Sequence, residues 1–267
     1  MRARGPARGE GGGTDAPGPA RASPAVYDGH GGCQAAHHCA QRLHRNLLKQ
    51  VGGARFCCSA PGDDLDGGGP DGLSEALVRA YLATDEELAG SEACTGTTAV
   101  AALVQPTHIL VANTGDSRAV LLRGAQAVAL SDDHKAERED ERARVEAAGG
   151  HVVSWNGPRV MGVLSMSRAL GDHFLRPYVI PDPELTLTPR APEDRLLILA
   201  SDGLWDVLSN QEACNIAKFA LKKARESGVK SGKEAAQLAA VRLVKTALGK
   251  GSGDNISVIV VDLSDGQ

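Results

Sequence analysis

Aromatic residues make up only 3% of the 267-residue chain. So few rings leave little for a surface that stacks bases. A formal net charge of −4 and a pI of about 6.1 give no electrostatic footprint for a polyanion. Nucleic acid is therefore not expected as a partner. No stretch approaches the run of about 18 apolar residues that a membrane span needs, so no membrane partner is expected either. Residues 1–24 are rich in Gly, Pro, Ala and Arg and lack the apolar centre of a secretory leader. Their composition predicts disorder, and Glu10 and Asp15 argue against an organelle transit peptide. The six cysteines form no CxxC pair, and their irregular spacing reads as reduced intracellular thiols.

What is present suits one globular domain: 42% hydrophobic and 23% charged residues. We place it at 25–263, with tails at 1–24 and 264–267. A Gly/Asp-rich stretch at 52–72 reads as a surface loop. Helical periodicity predicts helices over 34–51 and 74–88, the second capped by Ser74. Short aliphatic runs at 97–104, 108–113 and 117–122 read as antiparallel strands. A charged helix over 137–148 carries Asp140–Arg144 and Arg142–Glu146 at helix-surface spacing and stops at Gly149-Gly150. A strand at 196–200, helices at 211–224 and 233–248, and a strand at 256–263 complete the reading. Strands and helices come in blocks, which favours an α+β layered domain with packed antiparallel sheets.

Three short motifs lie far apart: VYDGHGG at 26–32, ASDGLWD at 200–206 and GDNIS at 253–257. Each carries an aspartate at a strand end or turn, and only a folded sheet core can bring Asp28, Asp202 and Asp254 together. Converging carboxylates make an oxygen-rich pocket for a hard divalent cation. Gly29 frees the backbone so that its carbonyl can face the same cation. Asp116, in NTGDSRA, is a fourth acidic candidate. Two cations can activate a water and orient a phosphate, and His30 can protonate a leaving alkoxide. Taken singly, each motif has a plainer reading. An Asp-Gly pair is most often a turn, a histidine after a turn is usually on the surface or capping, and Asp206 reads as a helix N-terminal residue.

The strings VYDGHGG, GTTAV, ANTGDSRAVL, LSDDHK, SRALGD, ILASDGLWDV and GDNISVIVV, in this order, resemble the PPM (PP2C-type) metal-dependent serine/threonine phosphatases. The resemblance implies a PP2C-like β-sandwich of antiparallel sheets flanked by helices. It implies that Asp28 bridges two Mg²⁺ or Mn²⁺ ions, that Gly29 lends a carbonyl, that Asp202 and Asp254 complete the set, and that Asp116 serves a looser third ion. It also implies that water attacks phosphorus directly, with His30 assisting the leaving group.

The segment HVVSWNGPRVMGVLSMSRALGDHFLRPYVIPDPE (151–184) is similar to the plant branch that serves as abscisic-acid co-receptors. Its pattern alone leaves Trp155 open as an exposed interface anchor or a partly buried packing residue. The resemblance implies the first, with Gly31 and Arg159 as neighbouring receptor-facing positions. Met161 and Phe174 stand where relatives often have Phe and Tyr. Implied partners are protein kinases as phosphoprotein substrates and soluble hormone receptors, for a monomer in nucleus and cytoplasm. Ahead of VYDGHGG, relatives carry strands with a phosphate-binding arginine and a metal-liganding glutamate. Here a Gly/Pro/Ala segment stands there, so the first strands are expected to be missing. Two readings follow: an N-terminally truncated active phosphatase, or a short form that binds receptors or kinases with weak or no catalysis.

Overall fold

The computed structural model describes residues 23–51, 70–90, 94–154 and 157–264. Four layers stack as helices, sheet, sheet, helices. In chain order the elements are β1 (Ala25–Val26), β2 (Gly29–His30), α1 (Gln34–Gln50), α2 (Pro70–Glu86), β3 (Gly96–Thr97), β4 (Ala99–Val104), β5 (His108–Thr114), β6 (Arg118–Arg123) and β7 (Gln126–Ala129). Then come α3 (Glu139–Ala147), β8 (Val152–Ser154), β9 (Pro158–Val160), β10 (Leu170–Gly171), β11 (Glu184–Pro189), β12 (Asp194–Ala200), α4 (Asp202–Trp205), α5 (Asn210–Glu226), α6 (Gly232–Gly249) and β13 (Val258–Asp262). One sheet runs β1-β4-β5-β11 and the other β13-β12-β6-β7, with every pair antiparallel.

The strands are buried on both faces, which is why they read as continuous apolar runs. In β4, Ala99, Ala101 and Leu103 face α1 and α2, where Cys39, Leu43, Leu77 and Tyr81 cover them. Val100, Ala102 and Val104 face the opposite sheet and pack with Leu121, Leu197 and Leu199. The outer face of that sheet carries Val120, Leu122, Leu196 and Ile198 beneath α5 and α6. Tyr81 is fully buried and donates its hydroxyl to the Ala112 carbonyl at 3.0 Å, so its polar end is satisfied. Ser209 and Glu212 form a capping box at the start of α5.

Several elements depart from the sequence reading. The helix expected from Ser74 starts at Pro70, as suits a residue whose missing N–H falls among the unpaired donors of a first turn. The loop expected over 52–72 therefore ends earlier, and 52–69 lies outside the described residues, as do most of the expected tails. The strand expected over 97–104 is split at Thr98 between two sheets. β7 to β11 went unread, because β8, β9 and β10 span only two or three residues each and β11 is an edge strand. Asp206 follows α4 and does not start a helix. Of the two expected pairs on α3, Arg142–Glu146 forms at 2.8 Å, whereas Asp140 is taken by Arg138.

Arg144 turns instead to Glu141, a carboxylate only 1% exposed. Glu141 accepts from Ser167 Oγ at 2.6 Å, Arg168 Nη2 at 2.6 Å and Arg144 Nη2 at 2.9 Å. These bonds tie α3 to the segment before β10. Burial alone would raise the Glu141 carboxyl, but Arg168, Ser167 and Arg144 hold it well below the usual range. Glu141→Ala strands two guanidinium groups and should cost about 3–5 kcal/mol, read from the urea unfolding midpoint. The stabilisation from Glu141 is complete above its ordinary value of 4.5 and drains away as the pH falls below it. The substituted chain should lose that share of the acid sensitivity.

Candidate active site

Asp28 sits where one two-stranded ribbon passes between sheets. β1 pairs β4 and β2 pairs β3 in a single continuous register, from Ala25↔Ala101 to His30↔Gly96. Opposite Asp28 the ladder changes. Thr98 N–H donates to the Asp28 carbonyl at 2.9 Å, but the Asp28 N–H goes to Thr98 Oγ1 at 3.2 Å. The Thr98 carbonyl is occupied by Thr97 Oγ1 at 2.9 Å, and Thr98 Oγ1 also meets Ser117 Oγ at 2.7 Å. This knot of hydroxyl groups fixes the backbone that carries Asp28.

Asp202 enters from the end of β12. Ser201 locks that end to the loop carrying Asp254. Its N–H donates to the Ser257 carbonyl at 3.1 Å, and its hydroxyl meets the Asn255 carbonyl at 3.2 Å and the Ser257 N–H at 3.1 Å. Gly203 leaves no room for a side chain, since a Cβ there would fall 2.3 Å from the Asn255 carbonyl oxygen.

The structure brings Asp28 and Asp202 face to face, with the exposed Asp254 near enough to Asp28 to act on it through its charge. Burial first, then the charges of Asp254 and Asp116, raise the Asp28 carboxyl; contact with Asp202 and the nearby His30 work the other way. Burial and the charge of Asp116 push Asp202 up to about 7, against the pull of Lys135. Asp202 Oδ1 is buried and has no hydrogen-bond partner among the described residues. Two crowded carboxyls with an orphaned oxygen are short of positive charge, and an all-oxygen donor set suits Mg²⁺ or Mn²⁺. The residues present therefore fit such ions. Among the described residues, no three His, Cys, Asp or Glu side chains stand as a ready-made ligand cage, so the Asp28–Asp202 pair is the nucleus of the site.

Asp116 is 1% exposed and turned to Lys135, whose Nζ lies 2.7 Å away and 4.0 Å from Asp202. Burial pulls the Lys135 ammonium down, but Asp116 and Asp202 more than restore it. Next to Lys135 opens a cleft of about 360 Å³, lined by Arg118, Ser131, Asp133, Arg138 and Asn210 among others. Arg118 is held there by Asp133 at 2.8 Å and lies over the Trp205 ring. His30 is half-buried and its Nε2 lies 2.5 Å from Asp172 Oδ2. Gly29 is exposed on β2. Lys135 and Asp172 belong to the strings LSDDHK and SRALGD, yet no role for either was readable before the fold placed them.

The receptor-facing candidates fare differently. Gly31 is exposed with φ +70°, and a Cβ would strike the Cys94 carbonyl oxygen at 2.2 Å, so backbone geometry alone requires glycine. Arg159 is half-buried on β9 and donates to the Val163 carbonyl at 2.8 Å. Trp155 lies outside the described residues.

The sequence pattern described as Protein phosphatase 2C matches residues 13–256. The chain belongs to the protein phosphatase 2C family. Among curated relatives, "Probable protein phosphatase 2C 6" of Oryza sativa subsp. japonica is 49% identical over 259 residues, covering 89% of this chain and 55% of the relative. "Protein phosphatase 2C 77" of Arabidopsis thaliana is 49% identical over 258 residues, covering 89% and 59%. The chain thus spans a little over half the length of these relatives. A serine-threonine phosphatase 2C from Toxoplasma gondii superposes with a TM-score of 0.75 at 26% identity, over 91% of this chain and 84% of that one. A C. elegans sex determining protein also gives 0.75, at 29% identity, over 91% and 56%. The expected PP2C-like α+β fold of antiparallel sheets and helices is therefore the observed one, and phosphatases of this family are metal-dependent.

Gly203→Ala should push the Asp254 loop off Ser201 and cost about 1–3 kcal/mol in thermal unfolding. Gly253→Ala, where a Cβ meets nothing within 4 Å, should stay within about 0.5 kcal/mol of the parent.

Proposed function

We propose that this chain hydrolyses phosphoserine and phosphothreonine esters in proteins, using two Mg²⁺ or Mn²⁺ ions and a third held more loosely. The observation that carries this reading is the facing pair Asp28–Asp202 with its buried, unpartnered oxygen. When bound, the ions supply charge to the phosphoryl oxygens and acidify a water. The residues of the chain do the rest. Asp28, Asp202, Asp254 and the Gly29 carbonyl would hold the ions. Asp116, paired with Lys135, would serve the looser third ion. His30 gives a proton to the departing serine or threonine oxygen. Asp202→Ala should lower Mn²⁺-dependent phosphopeptide hydrolysis by at least about a hundredfold. Equal background rates in parent and variant would sink the phosphatase reading for this chain.

The finer reading places the chain among the abscisic-acid co-receptor phosphatases, in nucleus and cytoplasm, as a monomer acting on protein kinases and inhibited by soluble hormone receptors. Its support is the segment 151–184 and the apolar side chains exposed there: Val153, Met161, Val163 and Phe174. Trp155, Gly31 and Arg159 are its contact residues. Trp155→Ala should abolish hormone-dependent receptor binding in a pull-down while sparing hydrolysis of a small phosphopeptide. Receptor binding that survives the change would refute the interface. A second reading, a binding protein with weak or no catalysis, draws on the Lys135–Asp116 pair, which already neutralises one carboxylate of the site.

A further inference from the structure

Asp172 is 3% exposed, and its backbone stands at φ +47°, a left-handed conformation uncommon for any residue but glycine. The surroundings impose that conformation. Its N–H donates to the Thr95 carbonyl at 3.1 Å, and its own carbonyl accepts from Leu175 N–H at 2.8 Å. The carboxylate is thereby aimed at His30, with Oδ2 2.5 Å from Nε2. Gly96 passes directly beside the contact: a Cβ there would lie 2.0 Å from Asp172 Oδ2 and 2.4 Å from His30 Nε2. A strained residue, a buried carboxylate and a forced glycine thus meet at one hydrogen bond. Strain of this kind persists where the surroundings over-determine it, and it clusters at functional sites.

We propose that Asp172 is the positioning residue for His30, fixing the Nε2–H tautomer and leaving Nδ1 as the atom that serves the leaving group. This rests on the reading of His30 as proton donor given above. In the step concerned, the bond from phosphorus to the serine or threonine oxygen breaks and its electron pair stays on that oxygen. The ring gives this proton from its doubly protonated form, in which Asp172 still holds Nε2–H: the proton on Nδ1 passes to the oxygen, while a water oxygen forms the new bond to phosphorus. The proton released by that water restores Nδ1.

The test compares the parent, Asp172→Ala, Asp172→Asn, His30→Ala and the double variant on two substrates, a phosphoserine peptide and p-nitrophenyl phosphate. The nitrophenolate leaves without help from an acid, so only the peptide reports on proton delivery. His30→Ala should lower kcat on the peptide by about 10²-fold or more and spare p-nitrophenyl phosphate. Asp172→Ala should show the same selectivity with KM unchanged, and the double variant should be no worse than His30→Ala alone. Asp172→Asn should recover most of the rate, since asparagine tolerates the left-handed backbone and can still accept from Nε2–H. Equal losses on both substrates in Asp172→Ala, or additive losses in the double variant, would show a merely structural role and overturn the proposal. If His30→Ala itself shows no selectivity, the proton-donor reading falls and the proposal falls with it; selectivity in His30→Ala without it in Asp172→Ala overturns the proposal alone. Nitrogen-15 NMR of the metal-free chain gives a readout independent of turnover. The His30 ring should be the Nε2–H tautomer in the parent and a mixture in Asp172→Ala. An unchanged tautomer ratio would overturn the proposal.

Discussion

Everything at this site depends on keeping like charges together. Asp28 and Asp202 face each other in a partly dry pocket, with Asp116 close enough to raise the cost of ionising both and Asp254 that of ionising Asp28. Carboxylates do not gather in this way spontaneously. The two sheets force them together: β12 delivers Asp202 and the β1–β2 ribbon delivers Asp28, and both are anchored in the same apolar interior. Hydrophobic burial thus opposes the electrostatic repulsion, which a divalent cation would relieve.

The anchoring groups are small hydroxyls. Thr98 and Ser117 hold the strand beneath Asp28, and Ser201 and Ser257 join the backbones beneath Asp202 and Asp254. Short side chains with few rotamers hold a backbone tightly at little entropic cost. The long charged chains nearby act differently. Lys135 bridges Asp116 and Asp202, and Arg118 is pinned between Asp133, Asn210 and Trp205. They set the local charge rather than the local shape.

The main strands and helices were legible in the sequence because each follows from a local pattern. β5 and β12 are apolar runs, while α1 and α5 carry apolar stripes at helical spacing. The aspartates were legible because Asp-Gly turns stand out at strand ends. What escaped depends on distant partners. Glu141 looks like any acidic residue of a charged helix until Ser167 and Arg168 are placed against it. Asp172 ends an ordinary-looking SRALGD string, and only the fold shows that it reaches His30, 142 residues away in sequence. Strands of two or three residues, such as β8 to β10, are too short for any period to emerge.

The segment between β7 and β11 has an apolar nucleus of its own, formed by Ala136, Val145, Val160, Leu164, Met166, Ala169, Leu175 and Val179. It is the smallest of the four nuclei among the described residues. Lys135 stands near its beginning and Asp172 near its end, and both reach across to the carboxylate pocket. The pocket therefore lies on a seam between two bodies of unequal cohesion. A region with fewer buried apolar contacts opens at lower free energy, so the expected order on heating is that the contacts of Lys135 and Asp172 with the pocket are lost before the sandwich itself.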